Sequence, residues 1–195
     1  MVLWLLACGV DSELEPLVGL DDLELVRGTG VWILDGAPYT GVAEQVAPGG
    51  MVFERVTFRE GRRHGRREQF HPDGTLRLQA DYVDGRRDGM VRTWWSNGHL
   101  RAEAELEDGV AHGVQRQWYE SGALFKELHY DHGAEQGLQR AWRENGVLYA
   151  NYEARNGRIY GLKRSKLCFQ LDDEEVVRGD VRLDVAGVFD PNDQP

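Results

Sequence analysis

Cysteine is almost absent from the 195 residues: Cys8 and Cys168 are the pair, so no disulfide framework is available and any core must come from apolar packing. Long apolar runs are missing too, since no stretch approaches the roughly 20 residues of a membrane-spanning helix. A basic excess is also lacking. The formal net charge is −10, with 15 basic and 15 acidic residues in 61–161, 3 and 10 in 1–60, and 5 and 8 in 162–195. No cationic face accumulates, which argues against nucleic acid as a partner. Nor does the chain carry a phosphate-cradling loop or a nucleophile elbow. Cys168 lies between Leu167 and Phe169 with no activating base nearby, and reads as a buried thiol. No catalytic residue, cofactor or small-molecule substrate is predicted, and the chain is expected not to be an enzyme.

Glycine is what the sequence has in abundance, 24 in all, and its placement is periodic. Three columns keep a spacing of 24 residues without a gap: Gly61, Gly85, Gly109, Gly133, Gly157; Gly65, Gly89, Gly113, Gly137, Gly161; and Gly74, Gly98, Gly122, Gly146. A degenerate copy over 35–61 places Gly41 and Gly50 at the matching offsets. Such periodicity makes a repeat architecture the first reading. In each copy an aromatic column (Phe70, Trp94, Trp118, Trp142) precedes a turn written Pro-Asp-Gly, Ser-Asn-Gly, Glu-Ser-Gly or Glu-Asn-Gly. After the turn the pattern alternates: Leu76, Leu78, Ala80 and Tyr82 share one parity, and Arg77, Gln79 and Asp81 the other. Period two is the mark of a half-buried strand. Glu, Arg, Ala and Leu are tolerable helix formers, but the glycines leave no run longer than about 10 residues, near the lower limit for a packed helix.

The expected fold is all-β: an elongated antiparallel meander of 24-residue β-hairpins in a single twisted sheet over 31–161. Residues 1–7 read as a signal remnant, 8–30 as an acidic tether and N-terminal cap, and 162–195 as a C-terminal cap and acidic tail. One hairpin cannot bury its own apolar face, so stability should be nearest-neighbour, with capped ends.

The pattern G-x-x-x-G-x-x-x-x-aromatic-x-x-x-G-x-L resembles the MORN repeat, and looks closest to the bacterial variant in YwqK-type antitoxins. The likeness covers about residues 31–161, and implies an elongated array that serves interaction rather than catalysis, leaving the ligand open.

At the front, Leu5-Leu6-Ala7-Cys8 resembles a bacterial lipobox, in which the Cys becomes the diacylated first residue of the mature protein. Cys8 is therefore the expected lipidation site, and "GVDSELEP" after it reads as a tether. No Lys or Arg precedes the apolar run, as a start codon placed too far downstream would explain. An apolar N-terminal strand with a buried Cys is the plainer alternative. Gly9 after the Cys points, by resemblance to enterobacterial sorting, to the outer membrane.

Two surface features invite partners. Arg62, Arg63, Arg66 and Arg67 crowd one hairpin and are candidate anion contacts, with Glu68, Asp84 and Asp88 close enough in the repeat to neutralise them. Arg92, Arg116 and Arg140, with Arg164 continuing the column, precede the aromatic column by two residues. A guanidinium over a ring gives a structural ladder. The alternative is a groove in which Arg92, Trp94, Arg116, Trp118, Arg140 and Trp142 anchor a partner. Trp95 and Tyr119, of opposite parity, should present a second aromatic set on the other face. Six histidines (His64, His71, His99, His112, His129, His132) show no zinc-ligand spacing; His64 and His112 share one turn position, so no metal is expected. The expected function is a membrane-anchored protein-interaction scaffold of the bacterial envelope, with a cytoplasmic antitoxin or a phospholipid-headgroup-binding module as alternatives.

Overall fold

The computed structural model describes residues 17–162. Cys8, Arg164 and Cys168 lie outside the described residues. Within them the chain forms β1 (Leu17–Gly19), a single 3₁₀ turn (Leu20–Asp22), β2 (Glu24–Val26), β3 (Val31–Leu34), β4 (Ala37–Pro38), β5 (Gly41–Val46), β6 (Val52–Arg59), β7 (Arg62–Phe70) and β8 (Leu76–Val83). There follow β9 (Arg86–Trp94), β10 (Leu100–Glu107), β11 (Val110–Trp118), β12 (Leu124–Asp131), β13 (Ala134–Glu135), β14 (Gly137–Trp142), β15 (Leu148–Arg155) and β16 (Arg158–Leu162). The large sheet runs β1-β5-β6 and onward to β12-β14-β15-β16 in chain order, with β13 beside β12. The all-β hairpin meander is therefore the fold. It departs from a single sheet in one respect: β2, β3 and β4 form a separate three-stranded sheet, and β1 joins the edge of β5 in parallel. Gly41 opens the first hairpin of the large sheet.

Two kinds of turn alternate along the meander. At Asp84-Gly85 both residues have positive φ, 47° and 90°, the mirror-image turn whose twist matches that of the flanking strands. The other turn spans His71 to Thr75, closed by His71 N–H to Thr75 O at 2.7 Å and Gly74 N–H to His71 O at 2.8 Å. The middle glycine column has a third task. Gly89 (φ 99°) sits where the β8–β9 register slips between Ala80 and Tyr82, so it is the pivot of a β-bulge. Gly61 is also sterically bound: a Cβ there would meet Trp32 O at 2.7 Å and Val31 Cγ1 at 2.5 Å. It fastens the small sheet to the large one through Trp32 N–H to Gly61 O and Gly61 N–H to Tyr39 O, both 2.7 Å.

One face of the large sheet, here the inner face, is buried. Leu78, Ala80, Tyr82, Val91, Ala102 and Leu106 form a cluster along it. A second cluster, Leu23, Tyr39, Ala43, Val56 and Phe58, lies under the small sheet, with Val18, Leu20, Trp32 and Leu34 against it. Phe58 packs edge-on against Tyr39 and tilted against Trp32, each at 5.9 Å between ring centres. The small sheet thus covers the apolar face of the first hairpin.

Candidate functional site

On the outer face, strand register aligns Glu44, Arg55, Glu68, Gln79, Arg92, Glu103, Arg116, Glu127, Arg140 and Asn151 in one row across the sheet. Acid and base alternate along most of it. Arg55 reaches Glu44 at 2.6 Å and Glu68 at 3.5 Å. Arg92 lies 3.7 Å from Glu103, Arg116 3.3 Å from Glu103 and 3.0 Å from Glu127, and Arg140 also bonds Glu127. The hydrogen bond to Glu127 raises the Arg116 pKa, as that to Glu44 raises the Arg55 pKa. Burial pushes the Glu127 carboxyl upward, but hydrogen bonds from Arg140 and Arg116 outweigh it and hold the group below its ordinary value. The arginine column is thus half of an ion-pair ladder. Its ring contact is made by Arg140, 5.3 Å from the centre of Trp142.

The four arginines of β7 are divided between the faces by strand alternation. Arg63 lies on the inner side, about 6 Å from both the Trp32 and Tyr82 rings, at 6.0 and 5.8 Å. Arg67 is buried there, its Nε 2.7 Å from Glu54 and its Nη1 3.4 Å from Tyr82 Oη. Arg62 and Arg66 are exposed, with Arg66 Nε 3.7 Å from Asp81. They do not converge on one anion.

The wide-turn end of each hairpin carries a second recurring arrangement. Register slips leave Arg77, Arg101, Phe125 and Tyr149 as extra residues, one per copy. Arg77 donates to Gln69 Oε1 at 2.7 Å, Arg101 lies 4.6 Å over the Trp95 ring, and Phe125 packs 4.9 Å from Tyr119. The residue after the aromatic column reaches into the next copy. His71 Nε2 meets Trp94 O at 3.1 Å, Trp95 Nε1–H donates to Trp118 O at 3.2 Å, and Tyr119 O–H donates to Trp142 O at 3.0 Å. Trp95 and Tyr119 are therefore half-buried fasteners between copies. A shallow cleft of about 140 Å³ opens beside them, lined by Trp95, Arg101, Ala102, Gln117, Trp118 and Phe125. Trp95 and Trp118 are brought together here; Arg92, Arg116 and Arg140 are held in the outer ladder.

One group escaped the sequence reading. Glu107, His112 and His132 offer ligand atoms within 4.8 Å of one another. The two histidines are 20 residues apart, a spacing that acquires meaning only once the tight turns of adjacent copies are known to stack.

The family model described as "MORN repeat variant" matches residues 63–84 and 111–132. No curated protein sequence matches the chain. Among solved structures, one described as "Crystal Structure of TarM" is similar at 14% identity and a TM-score of 0.32, covering 51% of this chain. The match spans 20% of that chain's length. The two matched segments lie two copies apart in the hairpin array, and each spans most of one copy, so the repeat is similar to the MORN variant.

Proposed function

We propose that this chain is a noncatalytic interaction scaffold of the bacterial envelope, held at a membrane by acyl chains on Cys8, that takes an extended segment of a partner protein along its wide-turn row. MORN repeats are generally protein- or lipid-interaction modules and typically noncatalytic. The observation that carries the reading is the cleft of Trp95, Arg101, Trp118 and Phe125, because aromatic and Arg side chains are favoured anchors. Two strands per copy set a pitch of about 10 Å. A polyproline II segment rises about 3.1 Å per residue with three residues per turn, so every third side chain meets an equivalent place on successive copies. The phospholipid-headgroup alternative draws no support from Arg62, Arg63, Arg66 and Arg67, which face two ways.

Titration of the full chain with a proline-rich peptide, read by tryptophan emission, tests the surface. Arg101→Glu should abolish the response while Gln79→Glu, on the outer face, leaves it; an equal response from both variants rejects the surface. Cys8→Ser should move the protein from the membrane to the soluble fraction with its circular dichroism unchanged. Persistent membrane attachment rejects the anchor, and an intact Met1 with a cytoplasmic toxin bound replaces the scaffold reading with immunity.

A further inference from the structure

We infer that Glu107, His112 and His132 form a site for one divalent transition-metal ion of the zinc class, at the junction between two successive tight turns. At the equivalent junctions a backbone N–H of one tight turn donates to a side chain 20 residues earlier. Glu60 N–H reaches Thr40 Oγ1 at 2.8 Å, Asp84 N–H reaches His64 Nδ1 at 3.4 Å, Asp108 N–H reaches Asp88 Oδ2 at 3.1 Å, and Asn156 N–H reaches Gln136 Oε1 at 3.4 Å. His112 and His132 occupy the same two places, and there the arrangement differs. Their rings meet edge-on at 5.2 Å, and His112 Nδ1 is sealed from solvent without a hydrogen-bond partner. The His112 side chain as a whole is 39% exposed, so the orphaned atom is turned inward, not toward water. An inward ring nitrogen with no hydrogen-bond partner is costly unless something occupies it.

What surrounds that nitrogen is anionic. Glu107 Oε2 lies 4.0 Å from His112 Nδ1, and Asp131 Oδ1 lies 3.8 Å from it. Asp131 Oδ1 is also 2.6 Å from His132 Nδ1, the carboxylate partner that commonly orients a metal-bound imidazole. Two imidazoles with a carboxylate suit zinc, copper or nickel, whereas calcium and magnesium take all-oxygen sets. Bonds of about 2.0–2.1 Å in a tetrahedron space the ligand atoms about 3.3 Å apart. The ligand atoms lie within 4.8 Å of one another, so an ion would draw them together by side-chain rotation. Rotation is open to Glu107 and His132, whose side chains are 65% and 77% exposed. The chain also keeps His132 at φ 45°, in a column otherwise filled by Glu60, Asp84, Asp108 and Asn156. A bound ion would join Glu107 and His112 of one hairpin to His132 of the next, in place of the hydrogen bond that the other junctions make. Three protein ligands leave a fourth position for solvent.

The test is calorimetric titration of the full chain with Zn²⁺ alone, paired with thermal melts. His132→Asn and His112→Gln should both fold, because Asn156 and Gln136 hold those places at the next junction. The expected result is one Zn²⁺ per chain, at least about tenfold weaker in each variant. Zn²⁺ should also raise the melting temperature of the unaltered chain and not of the variants. Absence of stoichiometric binding, or binding that survives both substitutions, overturns the site. Neither result bears on the Arg101 cleft, so the two proposals fail separately.

Discussion

Glu127 sets the strength of the outer ladder at the point where Arg116 and Arg140 both depend on it. Exposed ion pairs contribute about 0–1 kcal/mol, and both arginines are more than a third exposed. Glu127→Gln should therefore lower stability by about 1 kcal/mol at neutral pH, read from the urea midpoint. The pH dependence has a definite sign. The folded state holds the Glu127 pKa below its ordinary 4.5, so its contribution is complete above that value and lost as pH falls through the lower, folded one. The two proteins should converge in stability on acidification. At Gly61 the limit is steric as well as conformational, because backbone oxygen stands where a side chain would begin.

At the scale of the element, a copy is held by its neighbour through side chains aimed at backbone carbonyls. Tyr119→Phe removes one hydroxyl and its bond to Trp142 O, and should cost about 0.5–1.5 kcal/mol by equilibrium unfolding. Burial pushes the Tyr119 phenol pKa upward, which keeps it a donor in mildly alkaline solution. A different repair occurs where β12 meets β14 in only two register pairs, Lys126 with Ala141 and Glu127 with Arg140. There the buried Gln139 amide bonds both the N–H and the carbonyl of His129, at 2.9 and 2.8 Å, standing in for a missing strand neighbour. The strands themselves were legible in the sequence: Leu78, Ala80 and Tyr82 alternate inward as period two requires. The bulges were not. A register slip at Arg77 or Arg101 changes which strand atoms pair without disturbing the apolar pattern. The arginine column was visible because its members share a 24-residue period. Its partners Glu103 and Glu127 sit on the returning strands, and only pairing brings them alongside.

For the whole molecule, the 24-residue period predicts that a copy can be removed without a scar. Deleting residues 85–108 places Trp118 where Trp94 stood, so that His71 meets the Trp118 carbonyl in place of the Trp94 one. The shortened chain should unfold cooperatively, with a denaturant slope reduced by roughly one copy's share of buried surface. A loss of cooperativity would show that the copies are not interchangeable. The caps lack this freedom. The small sheet over Phe58 was not foreseen, because its place is set by the packing of Trp32 and Tyr39 on Phe58 and by the backbone bonds at Gly61, which no local pattern announces.

The wide turns also bear on how the protein ages. Asn97-Gly98 and Asn145-Gly146 are the dipeptides in which the glycine nitrogen most readily attacks the preceding amide, since no side chain obstructs it. Here both nitrogens are already engaged, Gly98 with Trp95 O at 2.9 Å and Gly146 with Arg143 O at 2.8 Å. The Asn97 amide is itself tied to Glu120 O, 2.9 Å away in the next copy. Ring closure must first break these bonds, so the closure of each turn, joined at Asn97 by a contact to the next hairpin, also slows the chemical clock written into the sequence.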